Sequence, residues 1–105
     1  MKKIIRMRKT AGDFAENKDI AKKIRIEHVM PALLRNDDVI FDFDGVGGAT
    51  QSFIHALLSD PIREFNNTAF NNLAYRNTNN DIKEIISIVY RYMQESLDGT
   101  SDKDQ

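Results

Sequence analysis

The stretch VIFDFDGVGGAT, residues 39–50, decides the fold. Its β-branched and aromatic residues alternate with the residues between them, which predicts a β-strand with two different faces. One face carries Val39, Phe41 and Phe43, and the other becomes polar where it reaches Asp42 and Asp44. The strand is therefore expected to cover a core with one face and to end in carboxylates.

A glycine-rich connection and a helix follow this strand. Gly45, Gly47 and Gly48 predict a flexible loop. Thr50 is suited to be the N-cap of a short helix that begins in TQSFIHALL, because its hydroxyl can accept a hydrogen bond from a first-turn N–H. The segment is thus a strand–loop–helix unit.

The remaining segments continue this alternation. Residues 3–9 predict a short strand, and the segment from Thr10 to Asp38 predicts a turn and then a helix, which Pro31 kinks or divides near His28. FNNTAFNN predicts a short helix or turn, LAYRN a strand, and TNNDIKEIISIVYRYMQESL a long amphipathic helix capped by Asn79 or Asn80. The order predicts an α/β fold: a small mixed sheet of about 3–4 strands with helices packed against it. Residues 1–97 are expected to form a single domain, and residues 98–105 a disordered, solvated tail.

Composition excludes several classes of function. The 105 residues suit one domain, and the net charge of −1 argues against a general nucleic-acid binder. The absence of Cys removes thiolate catalysis, and the two histidines do not form a metal cluster. No segment resembles a signal peptide or a membrane span, so a soluble cytoplasmic domain is expected.

The Asp-x-Asp-Gly sequence resembles the nucleophile motif of haloacid-dehalogenase-type phosphatases. In that chemistry the first Asp attacks phosphorus, the second handles a proton, and Mg²⁺ bridges the carboxylate and the phosphate. Thr78 and Lys83 can imitate the next two motifs, but no later strand ends in paired carboxylates. We therefore predict that Asp42 and Asp44 are strand-end carboxylates bonded to loop amides or a basic neighbour, with Arg76 neutralising Asp42.

A longer window, VIFDFDGVGGATQSFIHALL, is similar to STAS domains, the fold of bacterial anti-sigma-factor antagonists. It looks closest to a STAS-like family of unknown function, whose pattern is matched by residues 39–46, 50–53 and Asn77. The resemblance covers roughly residues 12–92. The motif positions that it treats as structural are Asp42, Asp44, Gly45, Phe53 and Asn77.

The resemblance implies a non-enzymatic regulatory protein-interaction module without a cofactor or metal. It implies as partner a protein, either a histidine-kinase-like ATPase or a related regulator, and neither nucleic acid nor membrane. The implied partner-binding and phospho-switch residues are Gly47, Gly48, Thr50, Gln51, Ser52 and His55. The phosphorylated serine of the antagonists falls on Gln51, which leaves the neighbouring Thr50 and Ser52 as acceptors.

Two alternatives remain open from the sequence. One is a Mg²⁺-dependent phosphatase-like enzyme that uses Asp42 and Asp44. The other is a small-ligand-binding domain that uses the glycine-rich loop next to a helix N-terminus, where anions bind readily.

Overall fold

The computed structural model describes residues 1–98, with side chains described as far as Glu95. Its strands are β1 (Lys2–Arg6), β2 (Phe14–Ala15), β3 (Asp38–Asp42), β4 (Gly48–Ala49) and β5 (Leu73–Arg76). Its α-helices are α1 (Met7–Ala11), α2 (Lys18–Ile24), α3 (Met30–Leu34), α4 (Gln51–Phe65), α5 (Asn67–Asn72) and α6 (Asn80–Asp98). A single π-helical turn, Arg25–Val29, joins α2 to α3.

The main sheet has three strands in the order β1-β3-β5, and both pairings are parallel. The predicted α/β class, with a small sheet and helices packed against it, is confirmed. Because the strands are parallel, their carboxyl ends share one edge, where Arg6, Asp42 and Arg76 lie side by side. Polar residues far apart in sequence are thereby brought together.

The hydrophobic core lies on one face of this sheet. Val39 and Phe41 of β3 are fully buried there, as the alternating pattern predicts. Tyr75 of β5 stacks on Phe41 at 5.5 Å between ring centroids, and its hydroxyl oxygen lies 2.6 Å from that of Tyr90 on α6. Helix α6 is thus fixed against the sheet by apolar packing and one shared hydrogen bond.

The glycine-rich segment after β3 is paired, so the predicted flexible loop is wrong. The Gly47 N–H donates to the Asp13 carbonyl at 2.8 Å, and the Thr50 N–H donates to the Ala15 carbonyl at 2.9 Å. Between them, β4 pairs in parallel with β2 and forms a second, two-stranded sheet. Two-residue strands show no alternation that a sequence pattern could reveal, because their pairing is set by the tertiary fold.

Near His28, where a kink or a division of the helix was predicted, the structure has a π-helical turn between α2 and α3. The Met30 N–H bonds to the Arg25 carbonyl, five residues earlier, so the chain gains one extra residue in the turn before α3. Pro31 then occupies the first turn of α3, a position where helices tolerate proline well. The π turn therefore lets the chain remain helical across a proline.

Two predicted boundaries are corrected. The strand predicted over residues 3–9 ends at Arg6, because Met7 turns into α1 and is fully buried in the core. The helix after Thr50, predicted to be short, has 15 residues and continues through Pro61 to Phe65. The buried Ile62 extends the apolar face beyond Pro61, and its burial offsets a hydrogen bond lost at the proline.

The last helix agrees with the pattern. The Ile82 N–H donates to Asn79 Oδ1 at 2.9 Å, which makes Asn79 the cap that was predicted together with Asn80. Helix α6 includes Asp98, the first residue of the predicted tail, and residues 99–105 lie outside the described part of the chain. Among the described helices, none has the length and apolar character needed to span a bilayer.

Candidate functional site

Asp42 lies at the carboxyl end of the central strand and is buried, with 6% of its surface exposed. Its Oδ1 accepts from the Asn77 side-chain amide at 2.9 Å and from the Asp44 N–H at 3.0 Å. Its Oδ2 lies 3.7 Å from the Arg6 guanidinium. The carboxylate therefore connects the ends of all three main strands.

The electrostatic state of Asp42 follows from these contacts. The amide of Asn77 contributes most, followed by the Asp44 N–H, and together they lower the pKa of Asp42 below its usual value of 3.8 despite burial. Arg76 and Arg6 lower this pKa further through their charges. These contacts favour the ionised carboxylate, and its bond to the Asp44 N–H is the contact with a loop amide that the sequence predicted.

The predicted partnership between Asp42 and Arg76 is partly correct. The two residues are direct register partners, so their side chains lie on the same face of the sheet. Within the described part of the chain, however, the ion pair to Asp42 within 4.0 Å comes from Arg6 of β1. Arg76 acts on Asp42 through its longer-range charge.

Asn77, which the resemblance treats as a motif position, has a local conformational role. Its φ of 59° is left-handed, a region that asparagine tolerates better than most side chains. This turn directs its amide back to Asp42. An asparagine is therefore suited to this position both for its backbone conformation and for its donor group.

An open cleft of about 560 Å³ lies outside the carboxyl edge of the main sheet. We call it the carboxyl-edge cleft, and its lining residues are Arg6, Arg8, Lys9, Gly12, Asp13, Asp42, Asp44 and Gly45. Gly45 has a φ of 82°, and a Cβ there would lie 2.5 Å from Arg8 Cδ. The glycine thus permits both the turn after β3 and the close approach of the Arg8 side chain.

A second groove of about 650 Å³ lies between α4 and α6. We call it the α4–α6 groove, and its lining residues are Lys18, Gln51, Ser52, His55, Ala56, Val89 and Tyr92. His55 packs edge-on against the Tyr92 ring, with 5.8 Å between centroids. Three of the predicted partner-binding residues, Gln51, Ser52 and His55, therefore share one surface.

The other predicted partner-binding residues lie elsewhere. Gly48 is buried, and a Cβ on it would lie 2.8 Å from the Phe14 ring. The Gly47 carbonyl accepts from the Asn79 side-chain amide at 2.8 Å, which ties the segment to the start of α6. Phe53, a predicted structural residue, is fully buried in the core.

Thr50 and Ser52 differ in their hydrogen bonding. Thr50 Oγ1 accepts from the Phe53 N–H at 3.1 Å and caps α4, as predicted. Ser52 is exposed, and within the described residues its hydroxyl makes no hydrogen bond. Ser52 is consequently the hydroxyl of this pair that is accessible to another protein.

Two groups that line these surfaces were not among the predicted site residues. Tyr92, 59% exposed, joins the α4–α6 groove because it lies on the edge of α6 that faces His55. Arg8 and Lys9 form the basic wall of the carboxyl-edge cleft, and their signal was the dense basic character of residues 1–9. Among the side chains described, no three His, Cys, Asp or Glu residues are grouped so that they could hold a metal ion.

A comparison with protein-family models matches residues 20–83 to a STAS-like domain of unknown function. The chain belongs to this STAS-like family. The match runs from α2 into the first turn of α6 and includes Asp42, Asn77 and the start of α4. Comparisons with curated proteins and with solved structures found no match.

Both surfaces of this STAS-like domain lie partly inside the family match. In the α4–α6 groove, Gln51, Ser52 and His55 lie inside the matched region and Tyr92 lies after it. In the carboxyl-edge cleft, Asp42 and Asp44 lie inside the matched region, whereas Arg8 and Lys9 lie before it.

Proposed function

We propose that this STAS-like domain is a non-catalytic regulatory module that binds a protein partner through the α4–α6 groove. The observation that carries the proposal is the placement of the exposed Ser52 beside Tyr92 on one groove. An exposed tyrosine next to a half-buried histidine offers apolar contact area and polar groups together, a combination that protein interfaces favour.

The partner class proposed is a histidine-kinase-like ATPase or a related cytoplasmic regulator, and Ser52 is the residue that it phosphorylates. Ser52 lies in the first turn of the 15-residue helix α4, where free N–H groups and the helix dipole stabilise a phosphate. Because the N-terminus of α4 stabilises a phosphate, the fold would tolerate the added charge. Binding of a partner that buries this turn would be weakened, because the phosphate would have to be removed from water.

Asp42 has an architectural role in this proposal. Its Oδ1 accepts hydrogen bonds from the Asn77 side-chain amide and from the Asp44 N–H, which hold together the chain segments that follow β3 and β5. We accordingly assign Asp42 Oδ1 to the architecture of the domain.

The test is affinity capture of the tagged chain from an extract of its native host, with and without ATP. We expect one stoichiometric regulator to be retained by the wild type, and phosphate to be found on Ser52 when ATP is present. Ser52→Glu should reduce capture at least about tenfold, which corresponds to about 1.4 kcal/mol of binding free energy.

Ser87→Glu is the matched control, because Ser87 is an exposed serine on α6 outside the groove. It should leave capture unchanged. Equal losses in both variants would show that added negative charge is sufficient, and the assignment to the groove would be rejected. Retention of the partner by Ser52→Glu and by Tyr92→Ala would reject it as well.

A further inference from the structure

The carboxyl-edge cleft carries groups that the partner surface does not use. It lies outside the carboxyl ends of parallel strands, the place where open α/β sheets bind their ligands. Its volume of about 560 Å³ is within the usual range for small-molecule sites. The position and size therefore suit a small metabolite.

The cleft is lined by charged groups of both signs. Arg8 and Lys9 belong to α1, Asp13 follows that helix, and Asp44 lies where the chain leaves β3. In the part of the chain that the structure describes, none of these four residues makes an ion pair within 4.0 Å. Unpaired groups of both signs thus remain available to one occupant.

Asp42 adds a buried acceptor to this cleft. Its side chain is 7% exposed, and Oδ2 has the Arg6 guanidinium at 3.7 Å, a distance longer than a hydrogen bond. Among the described residues Oδ2 accepts no hydrogen bond, whereas Oδ1 accepts two. A buried carboxylate oxygen without a donor is unusual and points to a hydroxyl supplied by a ligand.

We infer that the carboxyl-edge cleft binds a small phosphorylated polyol. The phosphate lies against Arg8 and Lys9, and neighbouring hydroxyls donate to Asp42 Oδ2 and to Asp44. Arg6 already balances the charge of Asp42, so a neutral hydroxyl donor suits Oδ2 better than a second cation. Inorganic phosphate alone would bind Arg8 and Lys9, but it would be repelled by the carboxylates of Asp42 and Asp44. This repulsion disfavours inorganic phosphate as the ligand.

The experiment is a titration of the ¹⁵N-labelled chain with ribose 5-phosphate, and separately with ribose, inorganic phosphate and serine. Gly12 and Gly45 line the cleft and serve as reporters, whereas Gly47 lies outside it and serves as the internal control. We expect ribose 5-phosphate to shift both reporters with a Kd below about 1 mM, at least about tenfold tighter than the other three probes.

Variants separate the two halves of the site. Arg8→Gln combined with Lys9→Gln should weaken ribose 5-phosphate at least about tenfold, while the matched pair Lys22→Gln with Lys23→Gln, on α2 outside the cleft, should not. Asp44→Asn should weaken ribose 5-phosphate but leave inorganic phosphate equal or tighter, because it removes a hydroxyl acceptor and a negative charge together. The melting temperature of each variant shows that it remains folded.

Three results would overturn the inference. Inorganic phosphate that binds as tightly as ribose 5-phosphate would indicate an adventitious ion only. Serine that binds most tightly would indicate a zwitterion site instead. Failure of ribose 5-phosphate, glycerol 3-phosphate and glucose 6-phosphate to shift Gly12 or Gly45 below about 10 mM would exclude a phosphorylated polyol.

Discussion

Asp42 connects three strands through a single side chain, and this connection makes stability depend on its charge. The Asn77 amide and the Asp44 N–H favour the ionised form, so the pKa of Asp42 is lower in the folded chain than its usual 3.8. At acid pH the unfolded chain therefore takes up a proton that the folded chain does not. Ionised Asp42 stabilises the fold above pH 3.8, and this contribution is lost as the pH falls through the lower folded pKa.

Asp42→Asn should accordingly flatten the acid side of the stability profile. The variant keeps an oxygen for Asn77 and Asp44 but cannot titrate, so it should take up about one proton fewer on unfolding at low pH. Urea unfolding at a series of pH values from neutral to acid measures this difference. Asp37→Asn is the comparison variant, because the pKa of Asp37 is also lowered in the folded chain. An Asp42→Asn profile parallel to that of the wild type would contradict the prediction.

The role of Asp42 could be predicted from the sequence, whereas its ion-pair partner could not. A carboxylate at the end of a strand, followed by a glycine turn, already indicates hydrogen bonding to a loop amide. The choice between Arg6 and Arg76 depends on the sheet order, because both flank Asp42 at the same edge. Sequence parity identified the shared face, but the side-chain distances follow from tertiary structure alone.

At the scale of elements, helix α4 depends on its first turn. Thr50 caps this helix, because its hydroxyl accepts a hydrogen bond from the Phe53 N–H. The Phe53 side chain is fully buried. Thr50→Ala should therefore reduce the free energy of unfolding by about 1 kcal/mol, and Thr50→Ser should recover most of it. Chemical denaturation of the two variants beside the wild type measures the cap. Equal losses in both variants would show that the methyl group, and not the hydroxyl, is what matters.

Elements with a long periodic pattern were predictable, whereas α1, β2 and β4 were not. Helix α6 is 19 residues long and its apolar residues recur at helical spacing. In β3 the residue types alternate along the strand. Local sequence patterns therefore identify both elements. Helix α1 has five residues, and β2 and β4 have two each. Such segments are too short for a period to be recognised, and they are ordered by contacts with distant parts of the chain. The α4–α6 groove was therefore predictable only in part. Gln51, Ser52 and His55 were predicted from the sequence, whereas Tyr92 joins the groove through helix packing.

At the scale of the whole molecule, the main sheet buries its two faces unequally. Ile4, Ile40 and Ala74 form one row across the three strands, in which Ile4 on the edge strand is 40% exposed and Ile40 on the central strand is 9% exposed. The next residue, Ile5, faces the helices and is 4% exposed within the core. Parallel sheets usually have both faces covered, so this arrangement places most of the packing energy on one side.

The two adjacent isoleucines allow this asymmetry to be measured with the same chemical change. Ile5→Ala should cost about 2 to 5 kcal/mol in the free energy of unfolding, because it leaves a cavity in the core. Ile4→Ala should cost less than about 1 kcal/mol, because the methyl groups that it removes are already partly in water. Urea unfolding of both variants gives the two values under identical conditions. Similar costs would mean that the Ile4 face is covered in solution, and the one-sided core would have to be abandoned.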